Sequence, residues 1–152
     1  MRADAAAAST NARGLAELAV AVLREGAMGE TLAAALAEAQ LELVGDASGR
    51  AALQVIARDE AEHAVLAWRF LRYAIDKGGS AIRESLRAAL EQAAPRVALP
   101  STRVSRAVWN QHGRLTPRQG AEVIDRAWRE LILPAAARLL ELPLQVGEAA
   151  VC

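Results

Sequence analysis

The chain has one cysteine, Cys152, and it is the last of 152 residues. This excludes an intrachain disulfide and a thiolate metal cluster. Lysine is almost absent: Lys77 stands alone among 18 basic residues. With alanine so abundant, that arginine bias reads as the mark of a GC-rich genome rather than of function. Charge of one sign is not in excess either, because 18 acids balance 18 bases. A general affinity for nucleic acid is therefore not expected. No uncharged apolar run approaches the roughly 18 residues a membrane helix needs, so no membrane span is expected. The first residues, MRADAAAASTNARG, have no apolar core of the kind a secretory signal carries. A cytoplasmic location is expected. Glycine-rich phosphate loops, a Ser-His-Asp set and zinc-finger spacings are missing as well.

What the chain does have is apolar mass and helical rhythm. Hydrophobic residues make up 53%, enough for one domain of this length to bury a core. Alanine and leucine dominate, and β-branched residues never alternate for long, so an all-α fold is expected. Residues 11–44 carry a 3.6-residue period, with Gly26 and Gly29 as weak points and Gly45 as a natural left-handed stop. Asp46 or Ser48 can cap a second helix over 49–77, which Gly78 and Gly79 end. Ser80 can cap a third over 81–94, ended by Pro95. Residues 95–116 read as a longer connection, with a short helix around 102–111. Thr116 and Pro117 form an N-cap and first-turn pair for a fourth helix to about Leu142, kinked at Pro134. Together these predict a four-helix bundle over 11–142 with a longer connection between helices 3 and 4. Residues 1–10 are expected to be disordered and 143–152 to form a loose tail.

The segment RDEAEHAVLAW, residues 58–68, breaks the ordinary pattern of charge. At about 100° per residue, Leu53, Ile56, Ala64, Ala67, Leu71 and Ala74 all lie within about 40° of Glu60, and His63 lies about 60° away. Glu60 thus occupies the middle of an apolar stripe, where a surface charge does not belong. On the first helix, Ala16, Ala19, Leu23, Gly26, Ala34, Ala37, Leu41 and Val44 form a stripe centred in the same way on Glu30. An antiparallel turn near Asp46 and Ala47 then brings Glu30, Glu60 and His63 to one level. Two carboxylates and an imidazole facing an apolar wall are costly without a counter-charge. A bound cation offsets that cost, and this donor set suits iron, manganese or zinc better than calcium or magnesium. The competing reading is a buried Glu–His pair of structural value alone.

These residues resemble the ferritin-like superfamily. Glu30 in GAMGETLAAAL matches its single helix-A glutamate, and Glu60 and His63 in ARDEAEHAVLAWRFL match its helix-B Glu-x-x-His. The likeness is specific over about residues 19–75 and thinner in AWRELILPAAARLL. It implies a ferritin-like four-helix bundle, iron held by Glu30, Glu60 and His63, and an oxidase or ferroxidase role. The second half departs from the family. The stripes of helix 3 (Ile82, Leu86, Ala89, Ala93) and helix 4 (Ile124, Trp128, Leu131, Ala135, Leu139) carry no central carboxylate, and no second Glu-x-x-His is present. Three arrangements stay open. Two copies can join their half-sites as a homodimer. One metal can bind with help from Glu130, Asp125, Gln92 or His112. Or the site is a relic on a metal-free bundle that acts in assembly or partner binding. Trp68, Trp109, Trp128 and Tyr73 are expected to pack rather than to carry electrons. His112 is expected to be a loop residue, and the arginines along 83–129 to lie on a solvated face.

Overall fold

The structure is a computed structural model, and it describes residues 13–93 and 113–142. Among these residues all regular structure is helical, as the composition requires. Helix α1 covers residues 13–41, with a π-helical stretch at Val22–Glu30 followed by α-helical Thr31–Leu41. Helix α2 spans Ala47–Glu91. Helix α3 covers residues 117–140, in which Pro117–Ala127 and Leu133–Leu140 flank a π-helical turn at Trp128–Ile132. The expected short helix at 102–111, the stop at Pro95, and both chain ends lie outside the described residues.

The predicted second and third helices form one span, so the described residues hold three helical spans instead of four separate helices. That span is not straight. Gly79 has φ 62° and ψ −140°, a conformation foreign to a helix, and it divides α2 into a first arm and a second arm. A straight helix would place Gln92 about 37 Å beyond Ala67. Yet Ala67 packs against Gly26, and the Arg24 guanidinium donates to Gln92 Oε1 at 3.5 Å, two residues away on α1. The second arm therefore folds back beside α1.

The helix ends show local chemistry at work. Asp46 Oδ1 accepts the Gly49 N–H at 2.6 Å and starts α2. Thr116 and Gln119 form a reciprocal capping box at the start of α3, with Pro117 in the first turn. The end of α1 differs from expectation. Gly45 is not left-handed; the helix stops at Leu41, and the N–H groups of Leu43 and Val44 both reach the Gln40 carbonyl. Gly113, with φ 68°, sits against Val44 and brings the start of α3 beside the α1–α2 turn.

Leu23, Leu71, Ile82, Leu86, Ile132 and Leu140 are the large fully buried side chains, set among Ala19, Ala27, Ala67, Ala74 and Ala89. The expected stripe of the second arm is the buried one: Ile82, Leu86 and Ala89. That of α3 is displaced by one residue. Val123, Ala127, Ile132, Ala136 and Leu140 are buried, and Leu131 is exposed. The buried residues run one early at Val123 and Ala127 and one late from Ile132 on, and the switch lies between Ala127 and Ile132. There the Leu133 N–H bonds back to the Trp128 carbonyl, a five-residue step, and the buried face advances by five instead of four. Pro134, which has no N–H to give, follows at once, so the predicted kink appears as a widened turn.

Gly79→Ala is expected to lower stability by about 1–3 kcal/mol, because a side chain is strained at its φ and ψ. Gly120→Ala, within ordinary helix and open space, should instead stabilise by about 0.4–1 kcal/mol. Urea midpoints of the two variants check both signs.

Candidate metal centre

Glu30 closes the π-helical stretch of α1, and Glu60 and His63 lie one turn apart on the first arm of α2. What lets the two helices meet closely is the absence of a side chain at Gly26. A Cβ there would stand 2.9 Å from the Cβ of Ala67, inside any normal contact. Glu30 follows Gly26 by one turn, so this close approach carries its carboxylate toward Glu60.

The three side chains come together. One ligand atom from each of Glu30, Glu60 and His63 lies within 4.8 Å of the others. His63 Nδ1 is 4.0 Å from Glu60 Oε2. Glu30 is half-buried, and its carboxyl is held above the ordinary carboxylate range. A hydrogen bond with Glu60 is the main cause, followed by desolvation and by repulsion from the Glu60 charge; His63 pulls the other way. Two acids placed this close cannot both ionise freely, and a proton or a cation between them relieves the repulsion.

Its setting differs from the one the stripes predict. The trio does not sit within an apolar wall but at the edge of the helix pair. The Glu60 side chain is 29% exposed and that of His63 is 64% exposed. Ala64, Ala67, Leu71 and Ala74 are buried as expected, but Ile56 is exposed. Even at this partly exposed edge, the hydrogen bond with Glu60 and then desolvation raise the Glu30 carboxyl more than charge repulsion does. Nearby, Thr31 Oγ1 donates to the Ala27 carbonyl at 2.6 Å and accepts the Trp68 indole N–H at 3.4 Å. That ties the turn carrying Glu30 to the arm carrying His63.

The assisting ligands do not join the trio. Asp125 is held by Arg129 at 2.7 Å, and Gln92 faces Arg24. Glu130 is exposed and lines a groove of about 440 Å³ with Thr31, Ala61, Ala64, Trp68 and Arg138. His112 and Trp109 lie outside the described residues. Trp68 and Trp128 are half-buried and pack against the core, as expected, and Tyr73 is exposed beneath Lys77. What the periodicity could not reveal is the π-helical stretch ending at Glu30. Among the described residues no helix is long and apolar enough to cross a membrane. Comparison with protein-family models, with curated proteins and with solved structures gave no match.

The raised Glu30 pKa sets a sign for stability. In metal-free protein, ionised Glu30 opposes folding above its raised pKa, and the penalty disappears below the ordinary value near 4.5. Glu30→Gln should therefore melt at a higher temperature than the unaltered chain at pH 7 in chelator. The difference should shrink toward zero as the pH falls below 4.5. Thermal melts across that range check it.

Proposed function

We propose that this chain is a ferritin-like metal-binding protein whose Glu30, Glu60 and His63 hold a transition-metal ion. Iron is the first candidate, and manganese or zinc the next. One observation carries the reading: three ligand atoms of the right chemistry, from two different helices, lie within 4.8 Å of one another. Two carboxylates and an imidazole match the preference of such ions for mixed oxygen and nitrogen donors. In the ferritin-like arrangement, α1, the two arms of α2 and α3 stand as the four helices of the bundle.

A redox-active ion held there supplies one-electron exchange with an oxidant, which is the basis of an oxidase or ferroxidase role. The chain's own groups do the rest. The two carboxylates would neutralise a divalent charge, and a proton on the Glu30 carboxyl, whose pKa is raised, would leave as the ion enters. Affinity should accordingly rise with pH through the carboxylate range. The Thr31–Trp68 hydrogen bond holds the α1 turn against α2, so Glu30 keeps its place in either state. Three protein ligands leave coordination positions for solvent, an oxidant or a second copy of the chain.

A second reading, a metal-free helical module for assembly or partner binding, draws on the apolar side chains left exposed on α2. The two separate by titration. Anaerobic calorimetry with Fe(II), then Mn(II) and Zn(II), should show stoichiometric binding to the unaltered chain and none to Glu60→Ala. Oxygen-dependent absorbance growth with Fe(II) should disappear in the same variant. An unaltered chain that ignores all three ions leaves the second reading in place.

A further inference from the structure

Helix α1, the first arm of α2 and α3 leave a groove of about 440 Å³ between them. Its walls are cut back to alanine: Ala34 and Ala35 from α1, Ala61 and Ala64 from α2, Ala135 from α3. Larger side chains at these places would close it. Val65 and Leu131 add apolar surface that stays open to solvent. A groove of this volume falls in the range of small-molecule sites, where a few polar groups fix the orientation of an apolar ligand.

The two ends of the groove carry opposite charge. At one end the Trp68 indole N–H reaches Thr31 Oγ1, so these residues share a level. Glu38 and Ala61 lie seven residues away along the two antiparallel helices, about 10 Å farther on. Helix α3 begins beside the end of α1, where Gly113 meets Val44, and so runs antiparallel to α1. Glu130 therefore belongs to the Glu38 end, and a smaller hollow of about 150 Å³ has both acids in its wall. Arg138, eight residues after Glu130, belongs to the Trp68 end. Among the described residues no ion pair or hydrogen bond holds the side chain of Glu38, Glu130 or Arg138. Arg129, next to Glu130, is taken by Asp125, and Arg126 shares the smaller hollow without pairing with either acid.

We propose that this groove binds a small amphipathic organic cation, an amine with an apolar body, with its ammonium group between Glu38 and Glu130 and its body along the alanines toward Trp68. Three features choose this occupant. The charged ends stand about 10 Å apart, too short a reach for a partner helix of even three turns, which runs roughly 16 Å. Two acids from opposite walls attract a cation at one end and Arg138 repels it at the other, so the molecule enters one way round. The walls between are apolar and suit methylene or ring carbon, not a hydrated ion. A fatty acid fits poorly: with its carboxylate at Arg138, its tail would desolvate two unpaired carboxylates. Neither acid belongs to the metal trio, so the proposal does not rest on the metal reading.

The test uses the full chain in chelator at pH 7. The probe is octylamine, whose extended chain has the length of the groove and whose amine is protonated at this pH. Calorimetry should show one site per chain, with octanol and octanoate binding more weakly. Glu38→Gln and Glu130→Gln should each weaken octylamine about two- to fivefold, the effect of losing an exposed ion pair, and leave octanol unchanged. Ala61 is exposed, so Ala61→Leu should fill the groove and abolish binding while helicity and melting temperature are retained. Failure of octylamine to bind at about 10 mM overturns the proposal. So does octanoate that binds as tightly, or octylamine affinity indifferent to both glutamine substitutions. A chain that binds octylamine and ignores metal ions sinks the metal reading alone; one that binds metal and ignores octylamine sinks this proposal alone.

Discussion

The close contact of α1 with the first arm of α2 is the constraint on which the remainder hangs. Glycine at 26 and alanine at 67 let two backbones approach until a single added carbon would collide. Small buried residues, Ala19, Ala27 and Ala74, share the core cluster with Ala67. Dense packing of this kind has little void to absorb an added methyl group, so such substitutions are felt. It also fixes the spacing of the carboxylates. Ordinary helix pairs lie 8–10 Å apart according to the side chains between them, and Glu30 and Glu60 are short enough to meet only toward the near end of that range.

From that contact the electrostatics follow. Glu30 and Glu60 are not neighbours in sequence, and nothing local requires them to meet. The packing of alanine and glycine around them does so. His63 stands on the solvent side, and its charge offsets part of the repulsion. The result is a site that is strained but not sealed, and water, ions or protein can reach it from one side. A fully buried pair would have demanded a compensating ion far more strongly.

Much of this could be read from the residues. The all-helical class follows from alanine, leucine and period. The caps at Asp46 and Thr116 follow from residue type, and the meeting of Glu30, Glu60 and His63 from counting outward from the turn. What failed was the assumption of a constant angle per residue. Met28 is buried although an ideal α-helix sets it well away from the face of Leu23. Five residues separate the two, which is one turn of π-helix, so they share a face. The same step of five separates Ala127 from Ile132 and moves the stripe of α3 after Ala127 past its expected positions. Neither π stretch has a sequence mark as plain as a cap, although Pro134 beside the second is a hint. Gly79 was legible as a break. That the chain folds back there instead of starting afresh depended on a long-range contact, Arg24 with Gln92, which no local pattern contains.

The two π-helical stretches also bear on how this chain tolerates change in length. A widened turn is the helical counterpart of a β-bulge: it absorbs an extra residue while the turns on either side keep their bonding. In α1 the stretch runs from Val22 to Glu30, and in α3 from Trp128 to Ile132. Each helix thus holds a slack loop of backbone at mid-length. Loss of one residue from either could be taken up by reversion to the tighter α-turn, at the cost of rotating whatever lies on one side. In α1 the group rotated would be the ligand-bearing turn, so the length of Val22–Glu30 acts as an adjustable screw on the separation of the two carboxylates.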